Sequence, residues 1–431
     1  MKWLIYDVLF AVTFPFLLPG FLMRMIRRGG YCARMGDRFA LYPAAVLPRL
    51  RTPSRVWIHA VSVGEVQVAG QLMREWRKVD PTIAFCFSTT SSTGWQMAQR
   101  EITAADELIY NPLDFPNFAK SALKTIRPRA IVLTESEIWP TFIRLAAKYK
   151  IPLFLINARV SDRSAPRYAK ARFIFKDIFN CFTRIFAQSD LDAERLISAG
   201  APKEKIAVTG SFKFDVATRN SAKEEELRSW IQPGARKILL GGSTWPGEDE
   251  VLLRIYQKLC EQEKEAPILV LAPRHFEKAD AVEENILKAG FSCIRRSRGE
   301  SAADAAKLPR KAVFLADTTG ELMGLYGLAS VVFVGKSLCA HGSQNMIEPC
   351  LCAKPTLVGP YTENFRPVMS DLKEGNAILQ VSDEAELEHE ILRLFADEEA
   401  AAELGARAAA AVQRRTGVVP RCVESIREVL S

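Results

Sequence analysis

Five short stretches end apolar runs on side chains able to do chemistry. HAVSVGE closes the first run with Ser62, Gly64 and Glu65, TESEIWP follows another with Glu135 and Glu137, and GSFKFD brings Ser211, Lys213 and Asp215. Further on, GGSTWPGEDE offers Gly241, Gly242 and Ser243, and APRHFEK offers Arg274 and His275. Glu65 is the sharpest case, because it stands where a strand-like run meets a helix-like one. An acid there complements the helix macrodipole by a few tenths of a kcal/mol up to about 1. The same acid, held in a closing cleft, has its charged form disfavoured and its pKa raised toward that of a working base. Gly64 is predicted to let the backbone turn tightly and bring a ligand close. Lys213, Arg274 and His275 read either as solvated surface or as three groups that a phosphate could bridge.

Other motifs carry less. LLGGST and TTGEL (Thr318 to Leu322) lack the G-x-G-x-x-G and GK[ST] patterns of nucleotide loops. They are expected at most to seat a phosphate at a helix N-terminus. Asp190 and Asp192 in DLD resemble a metal-holding D-x-D pair but read better as a helix N-cap and first turn. HGSQNMIEP opens a helix with Asn345 and Glu348 one turn apart, a pair that can face the same way and suits a ribose with vicinal hydroxyls. The nine cysteines are scattered, and Cys350 and Cys352, the closest pair, fall in a helix-like stretch. A reducing compartment is expected, with neither a disulfide frame nor a metal site.

The elements that must position these groups alternate. Strands are predicted at VWIHAVS, TIAFCFSTT, ELIYNP, AIVLTES, PLFLINAR, RIFAQS and KIAVTGS, with amphipathic helices between them. A polar segment, Arg219 to Arg236, interrupts the series, which restarts with KILLGGS, PILVLAPR, AVFLADT, SVVFVGK, PTLVGP and AILQVS. Such alternation builds parallel sheets with helices on both faces, and two such units make a cleft. In open α/β sheets ligands sit at the carboxyl ends of strands, where all five loaded stretches fall. The expected organisation is an anchor over 1–30, an α/β unit over 31–218, a linker over 219–236 and a second α/β unit over 237–431, whose terminal helices are free to pack back on the first.

The anchor rests on an uncharged run from Val8 to Met23 followed by Arg24, Arg27 and Arg28. About 20 residues make a full span, so this run, with Pro15 and Pro19 expected to kink it, fits either spanning or shallow insertion. No small-x-small cleavage pattern follows it. The positive-inside tendency puts the body in the cytoplasm, at the inner membrane. The formal net charge is +8, and eight arginines stand against Asp37 alone between Arg24 and Arg55. Their crowding beside the apolar run favours an anionic membrane surface over nucleic acid as partner.

Taken together, ARMGDRF, HAVSVGE, TESEIWP, INARVSDRS, GSFKFD, PRHFEK, GELMGLYGLA, the N-x-x-E-P of Asn345 to Pro349, and GPYTENF resemble the membrane-associated Kdo transferases over nearly the whole length. These move 3-deoxy-D-manno-octulosonic acid (Kdo) from CMP-Kdo onto the lipid A precursor (lipid IVA) of Gram-negative bacteria in lipopolysaccharide biosynthesis. The resemblance implies a GT-B glycosyltransferase fold of two Rossmann-like domains, with the acceptor on the first and the CMP-sugar on the second. It implies inverting, metal-independent transfer in which CMP-Kdo is a substrate and no cofactor is needed. By motif, Glu65 matches the general base, while Glu135 and Lys213 match residues assisting the transition state. Pro273, Arg274, the Gly320-Glu321-Leu322 turn and Asn345, Met346, Ile347 and Glu348 match CMP-binding positions. The chain departs from the family at Gly335 to Ser337 (GKS for Gly-Gly-Ser), at Gly342 to Asn345 (GSQN for Gly-His-Asn), and at Trp245 and Pro246, where Thr-His-x-Gly is frequent. The alternatives are a GT-B enzyme using another sugar nucleotide and a membrane-tethered nucleotide-binding protein without catalysis.

Overall fold

The computed structural model describes residues 2–28, 32–52, 54–215, 221–263, 265–308 and 311–431. The chain divides into two compact units, Met1–Val216 with Gly417–Ser431, and Ala217–Thr416. The boundary expected between 218 and 219 lies outside the described residues.

Each unit is built on one seven-stranded sheet, parallel throughout. In the first, β1 (Val56–His59), β2 (Phe85–Thr89), β3 (Glu107–Tyr110), β4 (Ala130–Thr134), β5 (Leu153–Ala158), β6 (Arg184–Ala187) and β7 (Ile206–Val208) lie in the order 3-2-1-4-5-6-7. Strands covered on both faces read as continuous apolar runs, as in AIVLT and LFLINA. Their side chains still alternate in direction: Trp57 joins the core with Leu133, Phe142 and Phe179, while Val56 and Ile58 join Leu72, Trp76, Phe87 and Phe154 on the other face. Chain order reverses between β1 and β4, so the loops after these strands part and leave a crevice.

The second sheet holds β8 (Ile238–Thr244), β9 (Ile268–Pro273), β10 (Ser292–Arg295), β11 (Ala312–Leu315), β12 (Val331–Val334), β13 (Thr356–Val358) and β14 (Leu379–Gln380), in the order 10-11-9-8-12-13-14. Its reversal lies between β8 and β12. Gly241 and Gly242 on β8 serve packing rather than ligand approach. A Cβ there would meet the Leu252 side chain at 2.5 Å and the Tyr326 hydroxyl at 2.6 Å.

Every strand read from the sequence is present; β10 was missed. It is an edge strand in which only Ile294 is buried, so Ser-Cys-Ile-Arg lacks the apolar run of the others. The segment expected as a linker instead contains the helix Ser221–Ile231 of the second unit. Its charged face hides Leu227, Trp230 and Ile231, spaced to lie on one side, and Trp230 meets Phe314 edge-on at 5.3 Å. At the other end, the helix Val418–Leu430 joins the first unit, where Val419, Cys422, Val423 and Ile426 enter the core with Leu72, Met73 and Trp76.

The N-terminal helix, Lys2–Arg28, runs through Pro15 and Pro19. Its inward side docks on the first unit: Phe10 and Phe14 pack on Phe115 at 5.0 and 5.2 Å, Tyr6 donates to Asp114 at 3.3 Å, and Thr141 donates to Asp7 at 2.9 Å. Leu4, Ile5, Val8, Leu9, Val12 and Phe16 are exposed on the outward side. Among the described residues no helix is long and apolar enough to cross a membrane. The basic stretch beyond it is partly used internally. Arg34 pairs with Asp37, and Arg49 with Glu107. Arg38 donates to the Thr90 carbonyl at 2.6 Å, and buried Arg55 donates to the carbonyls of Arg49, Phe85 and Ala105. The side chains of Arg24, Arg27 and Arg28 lie outside the described residues.

Asp215 holds the C-terminal helix in place, accepting the N–H groups of Gly417 and Val419, both at 2.7 Å. Asp215→Ala should lower stability by about 2 kcal/mol, the scale of hydrogen bonds to a charged acceptor. Amide hydrogen exchange is expected to speed up first in Val418–Leu430, which checks the assignment.

Candidate functional site

In the first unit, the loop after β1 ends at Ser62, the N-cap of the helix Val63–Val79. The Ser62 hydroxyl accepts the Glu65 N–H at 3.2 Å and donates to Glu65 Oε1 at 2.9 Å, and the Val61 N–H donates to Oε2 at 2.9 Å. This is a capping arrangement, so the macrodipole reading of Glu65 holds. A further contact ties it to the next strand: the Thr134 hydroxyl, at the end of β4, lies 3.2 Å from Glu65 Oε2 and 3.0 Å from the His59 carbonyl, sharing one proton between them. A carboxylate has about four lone-pair directions; three are taken, and one on Oε1 is left for another donor. Gly64 differs from expectation. It lies in the helix without a left-handed backbone, and a Cβ added to it would meet nothing within 4 Å.

Glu135 follows Thr134 with φ +50°, a left-handed conformation. Its carboxylate pairs with Arg159 Nε at 2.9 Å and accepts from Asn157 Nδ2 at 3.3 Å. Burial pushes its pKa up, Arg159 and Lys213 pull it down, and the charge of Glu65 pushes it up. Lys213 lies on the single turn Phe212–Asp215; burial lowers its pKa, Glu135 raises it and Arg159 lowers it. The β1/β4 reversal therefore gathers Glu65 and Glu135, with Lys213 and Arg159 close enough to perturb Glu135. Ser211 is buried beside Lys213, with Oγ 3.4 Å from the Lys213 N–H. Glu137 turns elsewhere, accepting from Trp139 Nε1 at 3.0 Å and lying 3.6 Å from His59 Nε2. Asp215 is committed to the C-terminal helix. Thr134 was not singled out from sequence, and Asn157 and Arg159 entered only within the motif INARVSDRS. Asn157 lies at the end of β5 and Arg159 directly after it, and that placement was their available signal.

In the second unit the remaining candidates hang on four neighbouring strand ends, those of β11, β9, β8 and β12. Pro273 ends β9, Arg274 is exposed just beyond, and no ion pair engages its guanidinium among the described residues. His275 stacks edge-on against Trp245 at 4.8 Å and contacts Glu277 at 3.1 Å. Ser243 (φ +54°) and Gly247 (φ +95°) shape the turn into the helix Glu248–Gln262. The phosphate seat expected here is occupied by the chain itself. Glu248, fully buried, accepts the N–H groups of Trp245 and Lys336 at 2.8 Å and of Ser337 and Leu338 at 3.0 Å. The turn it holds lifts Lys336, whose Nζ lies 5.0 Å from the Trp245 ring.

Beyond β11, Gly320 (φ +81°) precedes Glu321, the N-cap of the helix Leu322–Leu328. The Glu321 carboxylate is engaged by Arg296, Lys223 and the Thr318 hydroxyl. Despite burial, these partners hold its pKa below the usual carboxylate range. Beyond β12, Asn345 Nδ2 donates to Glu348 Oε1 at 2.9 Å, and burial raises the Glu348 pKa against that bond. Met346 and Ile347 are fully buried as whole residues. Asp190 and Asp192 are the first turn of a helix capped by Ser189, as expected. Among the described residues no group of three or more His, Cys, Asp or Glu is placed to hold a metal ion.

The family model described as 3-deoxy-D-manno-octulosonic-acid transferase (kdotransferase) matches residues 33–216. The chain is 30% identical over 429 residues to the 3-deoxy-D-manno-octulosonic acid transferase of Haemophilus influenzae, across 99% of this chain and 98% of that one. It is 32% identical over 361 residues to the Bordetella pertussis protein of the same description, across 81% and 80%. Among solved structures, UDP-GlcNAc 2-epimerase from Neisseria meningitidis has a TM-score of 0.57 at 14% identity, covering 85% of this chain and all of that one. At that identity the likeness is one of fold alone.

Glu248→Gln would replace one carboxylate oxygen with a donor facing backbone N–H groups. It should cost about 3 kcal/mol, as expected when buried donors lose a charged acceptor, and lower the Tm by several degrees in a calorimetric scan.

Proposed function

The chain belongs to the 3-deoxy-D-manno-octulosonic acid transferase family, and on that footing we propose that it transfers Kdo from CMP-Kdo to the lipid A precursor (lipid IVA), inverting and without a metal. The observation that carries this reading is Glu65: a carboxylate fixed by its own helix terminus and by β4, with one lone-pair direction unfilled, beside Glu135 at a strand-order reversal. In the proposed reaction the acceptor hydroxyl gives its proton to Glu65 while its oxygen attacks the anomeric carbon of Kdo. The bond to CMP breaks on the opposite face, so configuration inverts with no covalent enzyme intermediate. Lys213 assists the transition state in the first unit, and the exposed Arg274 of the second unit is suited to the nucleotide phosphate. Glu135 holds Lys213 charged and oriented, and Asn345 with Glu348 takes the ribose hydroxyls.

The exposed cations Arg163, Arg167, Lys170 and Arg172 are suited to the Kdo carboxylate or the phosphates of the lipid acceptor. The exposed apolar side of the N-terminal helix supports a place at the inner membrane, with the body on the cytoplasmic side. A helix bonded to the body along its inner side and apolar along its outer side suits a position in the interface plane.

Glu65→Gln keeps the capping geometry. It should leave CMP-Kdo binding within about twofold and reduce transfer roughly a hundred- to ten-thousand-fold, the usual contribution of a general base. Mass spectrometry of lipid made by the purified chain from CMP-Kdo and tetra-acylated precursor reads donor, acceptor and number of Kdo residues together. A variant close to the wild-type rate removes Glu65 as base. Product from a UDP-sugar alone points to another donor, and tight CMP-Kdo binding without product under any pair points to a non-catalytic binder.

A further inference from the structure

Asn157 is where three parts of the first unit meet. It is the penultimate residue of β5, its side chain is fully buried, and its backbone is left-handed at φ +51°, which Asn tolerates better than most residues. Its Oδ1 accepts the Phe212 N–H at 3.1 Å, its Nδ2 donates to Glu135 Oε1 at 3.3 Å, and its carbonyl accepts from Gln188 Nε2 at 2.9 Å. The orientation of this amide is dictated by its partners: a backbone N–H needs the oxygen, so the nitrogen must face the carboxylate. Phe212 immediately precedes Lys213. The Glu135 N–H in turn bonds the carbonyl of Ile156, the residue before Asn157, at 2.9 Å. One buried amide thus touches Glu135 directly and pins the turn that carries Lys213.

We propose that Asn157 is a positioning residue for the transfer: it holds Glu135 and the Lys213 turn in register and donates to the charged form of Glu135. Its catalytic consequence rests on the function proposed above; its effect on Glu135 does not. The charged groups facing Glu135 are Arg159 beyond β5, Glu65 on the helix Val63–Val79 and Lys213 on its turn. Arg159 is 53% exposed and therefore screened by solvent, whereas the Asn157 amide is shielded from water. Burial already raises the Glu135 pKa, so removing a donor raises it further and leaves less of the charged form at neutral pH.

Two variants separate the roles. Asn157→Asp keeps the acceptor for Phe212 and tolerance of the left-handed backbone but puts a second carboxylate where the donor was; Asn157→Ala loses donor and acceptor and adds no charge. The full chain carrying 13C-carboxyl glutamate is titrated by NMR, with the Glu135 signal assigned by its absence in Glu135→Gln. Transfer from CMP-Kdo is measured across pH in parallel. In Asn157→Ala, where no charge is added, the Glu135 midpoint and the acid limb of kcat should both move up by about one pH unit, and further in Asn157→Asp, with KM for CMP-Kdo within about twofold. An unmoved midpoint, or a rate that falls equally at every pH, overturns the proposal. So does loss of folding in both variants by thermal melting, since that makes Asn157 purely structural. If the wild type transfers nothing from CMP-Kdo, the proposed function falls while the carboxyl titration still decides the role of Asn157.

Discussion

All strands in each sheet run the same way, and the rest of the molecule depends on that. Parallel pairing sends every strand into its loop at one edge, and the reversal of order spreads two of those loops apart. In the first unit the reversal falls between the loops bearing Glu65 and Glu135; in the second it falls between those bearing Trp245 and Lys336. Reactive groups far apart in sequence thereby share an edge without any long loop to hold them. The short, fully buried strands supply the rigidity, because each is packed on both faces and cannot slide without exposing its apolar residues.

A carboxylate withdrawn from water needs compensation, and the chain supplies it in three ways. Glu248 is surrounded by backbone N–H groups and so acts as an internal anion that shapes a turn. Glu321 is neutralised by Arg296 and Lys223. Glu65 and Glu135 are compensated less completely: Glu65 keeps an open direction, and Glu135 sets Arg159 and Lys213 against its burial and the charge of Glu65. Incomplete compensation is what distinguishes a working acid from a structural one. By that criterion Glu248 belongs to the scaffold, while Glu65 and Glu135 keep the capacity that the proposed transfer calls on.

Alternation of apolar runs and amphipathic segments was enough to read thirteen of the fourteen strands, because a strand buried on both faces has a composition no surface loop can share. β10 escaped because Ser-Cys-Ile-Arg lacks the apolar run that made even the little-buried edge strands β7 and β14 legible. The helix Ser221–Ile231 escaped because three apolar residues were diluted among charges. At the site, residue type and position after a strand picked out Glu65, Glu135 and Lys213. Asn157 and Thr134 were not legible, since a neutral side chain inside an apolar run shows its purpose only when its partners are known. The arginines after the N-terminal helix show a related limit: composition counts charges but cannot show that Arg38 and Arg55 are turned inward onto carbonyl oxygens.

The N-terminal helix illustrates how partners decide between readings that hydropathy leaves level. For this helix to span a bilayer, its first four turns would have to leave Phe115, Asp114 and Thr141, and Tyr6 and Asp7 would enter hydrocarbon without them. Asp114, which accepts the N–H groups of Thr141 and Phe142 at the start of the next helix, would lose the hydroxyl that covers it. Lying flat costs none of this. The inner aromatics stay packed, the polar pairs stay made, and the row from Leu4 to Phe16 is the side available to acyl chains.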